Sequence, residues 1–552
     1  MRAQPGKGAR AVSLDGDYRA DVIVMGGGIA GIVTALELLE HGKSVLILDR
    51  ASEENFGGQA VTAFGGMMIV GSPLQKRLGV KDTPALAFHD WCNTADFGEE
   101  DVLPRKWAEM YCHRSLPDVY QWVRAKGVKF LPGLMWPERG FFGQGNSLPR
   151  YHIVWGTGYG CTRTLIDHLR NHRNKNRLEL RFNHRVTNVE RAAGRIAGVS
   201  GEISGSGNTF NAKADTLVIA SGGLGGDLKR VRELWPEDMG SPPEELFIGS
   251  HPFCDGAGLE MAERLGGVLS NLGYMWNYAD GVAHPNPKYA NQALRVIPPK
   301  SALWMDYRGK RFGPIPLIGL YDTTYTVRRI CEQRKKYSWH ILNWKIARKE
   351  LALSGAEHNE AIRDKKRFTL LKNALFGNNA LVQRMVDECP DFITANSVPE
   401  LARKMNALVG TDDVDVKAME QDIKLYDDQI ERGVKFHNDD QLRRIANSRN
   451  WPSDRMRTCK FQKIVDPKAM PLIAIRYRVM TRKCLGGIRT DMQSRVVDQS
   501  GEPIPGLYAA GEAAGFGGGG CNGKSSLEGT FISSCILSGR IAARSIAGVP
   551  NP

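Results

Sequence analysis

Gly26, Gly28 and Gly31 stand in the order G-x-G-x-x-G, and Asp49 follows 21 residues after Gly28. Those residue types at those distances can hold a dinucleotide. Gly26 permits a tight turn, Gly28 lets a pyrophosphate approach the backbone, and Gly31 lets helix and strand pack closely, so that phosphates meet unpaired N–H groups at a helix start. A carboxylate at Asp49 accepts ribose hydroxyls and disfavours a 2′-phosphate. The cysteines point to no such chemistry. There are ten, at 92, 112, 161, 254, 331, 389, 459, 484, 521 and 535, with no C-x-x-C pair, so neither a zinc nor an iron–sulfur ligand set is written and no metal is expected. They read as free thiols of a reducing cytoplasm.

The elements around the glycines fit the same reading. An apolar strand over 22–25 precedes them, an amphipathic helix over 32–40 follows, and a second apolar strand ends in Asp49. A second glycine cluster, NFGGQAVTAFGGM over 55–67, comes where a nicotinamide-binding domain would continue with its third strand, and this extra phosphate-contacting loop suits FAD better. Two further stretches, ADTLVIASGGLGGD (214–227) and IPGLYAAGEAAG (504–515), are apolar strands ending in small residues. Strands of one parallel sheet that end in glycine direct their carboxyl ends at one ligand, which must be long.

The chain has 552 residues, enough for more than one core, with 74 Lys and Arg against 60 Asp and Glu, a net charge of +14. The basic residues are spread among acids without aromatic interleaving, which argues against nucleic acid as partner and leaves an anionic cofactor or peripheral contact with phospholipid. No window reaches the ~20 apolar residues of a membrane span, and the first residues lack the apolar core of a secretory signal, so a short disordered tail over 1–15 and a cytoplasmic protein are expected. From about 330 to 460 glycine thins and helical patterns dominate, with Val416, Met419, Ile423 and Tyr426 at core spacing.

Taken together, GGGIAG, FGGQAVTAFGGM, VIASGGLGGD, CDGAGLEMAERLGG, TRKCLGGIRTD and GEAAGFGGGGCNGKSSLEGTF resemble the FAD-binding dehydrogenases of the fumarate reductase and 3-ketosteroid dehydrogenase superfamily, over about residues 20–548. The resemblance implies an α/β fold: a discontinuous Rossmann-like FAD-binding domain, residues 16–275 and 466–552, with an inserted α+β capping or substrate domain over 276–465. It implies FAD contacts at Gly26, Gly28, Ala30, Gly31, Asp49, Arg50, Gly57, Gly58, Gln59, Ala60, Gly65, Gly66, Val186, Ser221, Gly222, Asp255, Gly511 and Glu512. Glu512 is placed like an acid that holds ribitol hydroxyls. Relatives that attach the flavin use a histidine after the second strand; none occurs between His41 and His89, so noncovalent FAD is expected. Ser525 and Glu528 fit a capping box, which predicts a helix starting near Ser526. The resemblance aims that N-terminus at the flavin, with the N–H groups of Ser526 and Leu527 stabilising the reduced ring and Gly517 to Gly520 letting it come close.

The superfamily moves hydride between a substrate carbon and flavin N5 while a side chain moves the α-proton. The arginine and the histidines by which fumarate reductases do this are missing from DYRGKRFGPIPLIGLYDTTY and TRKCLGG, and the C-terminal tyrosine followed by Pro-Gly of Δ1-dehydrogenases is missing too. Ketosteroid dehydrogenases use pocket tyrosines, which singles out Tyr321 as acid/base with Tyr325 or Tyr477 as neighbour; Arg476 or Arg478 would lower the high pKa of tyrosine. His152, Trp155 and Tyr159 are the candidate pocket floor. The expected activity is desaturation or reduction of a C–C bond beside a carbonyl in an apolar, alicyclic or steroid-like ketone, with an external electron acceptor. The alternatives are a carboxylate-directed ene-reductase, which needs an arginine facing the flavin, and an electron-transfer flavoprotein subunit of a membrane complex, which needs an exposed apolar patch and no enclosed pocket.

Overall fold

The structure, a computed structural model, describes residues 16–550, so the tail expected over 1–15 lies outside the described residues. Two sheets organise the chain. The first has the order Arg495–Val497, Pro503–Ala509, Thr216–Ile219, Val22–Met25, Val45–Leu48, Leu178–Arg181, parallel except for the first strand. Val22–Met25 and Val45–Leu48 are buried along their whole length, which is why they are uninterrupted apolar runs. The helix Ile29–Glu40 begins three residues earlier than its periodicity suggests, directly on Gly28. It packs on the last helix, Thr530–Ile546, where Thr34 donates its hydroxyl to the Gly539 carbonyl at 3.2 Å and Arg540 pairs with Glu37 at 2.8 Å.

The second sheet is mostly antiparallel and has Leu472–Cys484 as its long central strand, flanked by Tyr337–Asn343 and Met275–Ala283, with Ala293–Ile297 beyond the latter. Residues 472–484 therefore pair with the strands of the inserted segment, and the chain re-enters the first sheet only at Arg495. Seven helices lie between Glu360 and Arg457; Asn379–Glu388 and Val398–Val409 pack on strands of this second sheet, and Met419, Ile423 and Tyr426 are buried along Val416–Glu431 as the spacing predicts. No helix among the described residues is long and apolar enough to cross a membrane.

The C-terminal glycine run differs from expectation. The helix starts at Thr530, four residues after Ser526, behind Gly529 at φ 101°. The capping box does not form, because Ser525 hydrogen-bonds Thr324 and Glu528 is taken by Tyr278 and Trp276. Gly517 to Gly520 face other protein, not the cofactor cavity. A Cβ on Gly517 would stand 2.5 Å from the Trp107 ring, one on Gly518 2.8 Å from Leu103 and Trp107, and one on Gly519 2.3 Å from the Ser270 hydroxyl. The glycines let a left-handed coil fit under Trp107.

Candidate active site

One continuous cavity runs from the carboxyl ends of the first sheet to the second sheet. Gly26, Gly28, Ala30, Asp49, Arg50, Gly58, Gln59 and Ala60 line its first half. Gly65, Gly66, Val186, Ser221, Gly222, Asp255 and Glu512 line it as well. Gly31, Gly57 and Gly511 stand behind this wall: a Cβ on Gly31 would lie 2.1 Å from the Gly26 carbonyl, so that glycine sets how closely helix and strand approach. Ser526 and Leu527 are buried outside the cavity, the Ser526 hydroxyl held by Asn522 at 2.9 Å.

The residues present fit FAD. A Cβ on Gly28 would meet nothing within 4 Å, which leaves open space beside the helix start where a pyrophosphate belongs. The Ser221 hydroxyl is buried with no partner among the described residues. Asp49 accepts from Gly27 N and Ala51 N, both at 2.8 Å, so its carboxylate is held in place, although burial raises its pKa. Arg50 pairs with Asp255 at 2.8 Å and stacks over Phe253, while Asp255 also accepts from Ala257 N at 3.1 Å; cofactor-edge acid and helix-start acceptor are one residue. Glu512 accepts from Cys484 N at 2.9 Å, and burial pushes its pKa up to about 7, as for an acid awaiting hydroxyl donors.

The second half carries groups that no local spacing announced. Met275–Ala283 presents Trp276, Tyr278 and Asp280 on one face, by strand alternation. The Trp276 indole donates to the Tyr278 hydroxyl at 3.0 Å, and that hydroxyl donates to Glu528 at 3.1 Å. Arg295, from the neighbouring strand Ala293–Ile297, lies 3.4 Å above the Tyr278 ring centre, donates to Asp280 at 3.1 Å and stands 4.0 Å from Glu528. Burial, and then the Glu528 charge, hold the Tyr278 hydroxyl well above its ordinary pKa while Arg295 opposes them, so it is a neutral proton donor at neutral pH. The Lys483 amine sits 4.0 Å over the Phe531 ring in the same cavity, with no hydrogen-bond partner among the described residues. Desolvation pulls its pKa down to about 7, against the opposing pull of Glu528.

The tyrosines favoured from the sequence lie elsewhere. The Tyr321 hydroxyl donates to the Arg444 carbonyl at 3.2 Å, shares a hydrogen bond with the Ser448 hydroxyl at 2.9 Å and packs on Phe141; the Tyr321 carbonyl accepts from Gly140 N at 2.7 Å, so YDTTY is a joint between the 136–150 segment and a helix that Asp322 caps. Tyr325 packs tilted against Phe141 and edge-on against Phe142. Tyr477 is buried between Trp304 and His340 within the second sheet, its hydroxyl pKa raised by desolvation, and Arg476 and Arg478 spend their charge on Glu245 and Asp391. Among the pocket-floor candidates, His152 bonds Ser72 and the Arg150 carbonyl, both at 2.7 Å, and desolvation pushes its pKa down to about 4. Its neighbour Tyr151 faces the cavity instead, against Gly66, because adjacent strand residues point opposite ways. The Trp155 backbone N–H donates to the Lys129 carbonyl, and Tyr159 stacks under Arg163, 39% exposed. His284, Glu357 and His358 also gather; Asn286 N donates to His284 Nδ1 at 3.1 Å, which leaves the proton of the neutral ring on Nε2, 3.7 Å from the Glu357 carboxylate and without a hydrogen-bond partner among the described residues.

The profile of the FAD binding domain family matches residues 21–532. The chain is 40% identical over 531 residues to a "KsdD-like steroid dehydrogenase" of Mycolicibacterium smegmatis, covering 93% of this chain and 96% of that one. In fold it is similar to the 3-ketosteroid delta1-dehydrogenase of Sterolibacterium denitrificans, with a TM-score of 0.70 at 15% identity, covering 96% of this chain and 100% of that one. It is also similar to the 3-ketosteroid-delta4-(5alpha)-dehydrogenase of Rhodococcus jostii RHA1, with a TM-score of 0.65 at 20% identity, covering 97% and 98%. With the glycine-lined cavity and its fixed acids, these matches establish the cofactor as FAD, and the chain belongs to the FAD-binding dehydrogenase family.

Proposed function

We propose that the protein oxidises or reduces a C–C bond beside the carbonyl of a steroid-like ketone, with FAD held noncovalently. The observation that carries this reading is the hydrogen-bonded Tyr278–Glu528 pair in the chamber that continues the cofactor cavity. When bound, FAD supplies the hydride acceptor or donor that such a reaction requires. The chain supplies the proton handling. In the oxidative direction Tyr278 takes the α-proton on its oxygen as its own proton passes to Glu528, so no free tyrosinate has to form and its high pKa is no obstacle. Arg295 over the ring offsets the negative charge that accompanies the transfer. Lys483, with no hydrogen-bond partner of its own, holds the carbonyl oxygen as it gains charge. Relatives named steroid dehydrogenases, and the apolar wall of Met135, Ile297, Leu320, Phe516, Phe531 and Ile532, support an apolar polycyclic substrate.

Arg295 gives the carboxylate-directed ene-reductase a specific observation in its favour, since an arginine with a side chain 10% exposed lines the chamber. Asp280 already occupies it and Glu528 stands beside it, which weighs against binding a second carboxylate. The test is an anaerobic screen of saturated and unsaturated 3-ketosteroids and of fumarate, following flavin bleaching or its reversal. Tyr278→Phe should keep FAD and slow the responsive ketone about 10²- to 10⁴-fold. Turnover with fumarate alone would favour the second reading, and undiminished turnover by the variant would remove Tyr278 from the reaction.

A further inference from the structure

The helix Arg367–Phe376 turns its apolar side outward. None of its residues is buried, and Phe368, Leu371, Leu375 and Phe376 are 90%, 58%, 67% and 70% exposed. Helical spacing gathers the first three on one stripe with Phe376 at its edge, the opposite of what a globular core requires. Residues 363–376 carry Arg363, Lys365, Lys366, Arg367 and Lys372 against one carboxylate, Asp364, which pairs with Arg363 at 2.7 Å and with Lys366 at 3.4 Å. The helix packs against Pro452–Arg457, whose last residue lines the cavity, and the segment leading to it passes through Ser354, another lining residue. The helix that carries the stripe therefore neighbours an element that reaches the cavity wall.

We propose that this helix docks the protein on the surface of an anionic phospholipid bilayer. Large apolar side chains in a segment rich in lysine and arginine match the boundary between acyl chains and negative headgroups, and the net charge of +14 favours the same surface. A second copy of the chain fits less well, because a two-fold contact through this stripe would face one basic segment with another. Docking brings the side of the molecule that holds the helix ending in Arg457 to the phase in which an apolar ketone dissolves; that consequence rests on the proposed function, the docking itself does not.

The test is sedimentation of the FAD-loaded protein with vesicles, without substrate. The protein should pellet with vesicles of equal parts phosphatidylglycerol and phosphatidylcholine, less so in high salt, and not with phosphatidylcholine alone. Phe368→Ser with Leu375→Ser should weaken binding at least about tenfold, with unchanged thermal unfolding and unchanged turnover of a dissolved ketone. Wild-type protein that stays in the supernatant, or a double variant that pellets equally, overturns the proposal. So does a concentration-dependent dimer in sedimentation equilibrium that the same substitutions abolish, which would give the stripe to a second copy.

Discussion

Lys483→Met should make the protein more stable while making it less active. The amine lies in the cavity wall between Phe531 and Tyr278 without a hydrogen-bond partner among the described residues, and desolvation brings its pKa from 10.5 down to about 7. At about 1.4 kcal/mol for each tenfold change in proton affinity, that fall corresponds to a ceiling of about 5 kcal/mol of folding stability lost to charging the amine. Water admitted by the cavity relieves part of it, so a realised cost of roughly 2–3 kcal/mol is expected. The sign follows from the proton count. Below pH 7 both folded and unfolded chains carry the proton and the cost is fully present. Between about 7 and 10.5 the unfolded chain binds more protons, so stability rises with pH, and above 10.5 the two states no longer differ. Urea unfolding of the FAD-free protein from about pH 6 to about pH 10 measures this directly. The methionine variant should be more stable at the acid end, with the advantage shrinking as pH rises, while the FAD-loaded variant loses about 10²-fold in kcat for want of a donor to the carbonyl oxygen. A variant no more stable than wild type at pH 6, or one with the same pH slope, would show that the amine is not desolvated in the fold, and the reasoning about its role would go with it.

Glu528→Gln should leave FAD bound and lower kcat about 10²-fold, because the amide cannot take the Tyr278 proton; stopped-flow bleaching by the responsive ketone reads it. Asp49→Asn should weaken FAD binding roughly 10- to 100-fold by titration calorimetry, since a charged acceptor is lost and the amide's NH2 group must face one of the two donors, Gly27 N or Ala51 N. Gly517→Ala should lower stability by about 2–4 kcal/mol, because the new Cβ collides with Trp107 at a φ of 137°, while protein that still folds keeps its flavin spectrum. A changed spectrum at unchanged melting temperature would instead return those glycines to the cofactor.

The cofactor half was legible because its constraints are local. Gly26, Gly28 and Gly31 each answer to a strand, a helix start or a ligand a few residues away, and Asp49 directly follows the very next strand. The chamber was not, because it is assembled from residues far apart. Tyr278 and Arg295 sit on neighbouring strands, and Glu528 arrives from the end of a glycine coil some 250 residues later. A trace of it exists in Trp276, Tyr278 and Asp280, three alternate positions that put aromatic and acidic groups on one face of a buried strand. The same period explains the choice of His152 over Tyr151: in a strand, an error of one residue exchanges the core for the cavity. Ser525 and Glu528 show the opposite failure, a correct local pattern overruled by tertiary partners that bind each side chain more favourably.

The two halves of the site are joined through backbone and not through catalytic side chains. The strand Gly66–Met68 continues the second glycine cluster, and its Met68 N donates to the Gly529 carbonyl at 2.8 Å, which fixes the start of the last helix and, one residue before it, Glu528. Tyr151 rests its ring on Gly66 from the adjoining strand, where a Cβ would come within 1.7 Å of the ring. Cofactor loop, chamber wall and Glu528 thus share one hydrogen-bonded frame. Tyr278, Arg295 and Ile297 belong to the other sheet, and a substitution there can reshape the chamber without disturbing that frame. The chamber wall on Met275–Ala283 and Ala293–Ile297 is thus built apart from the glycine pattern that marks FAD, so that pattern speaks for the cofactor and not for the ketone.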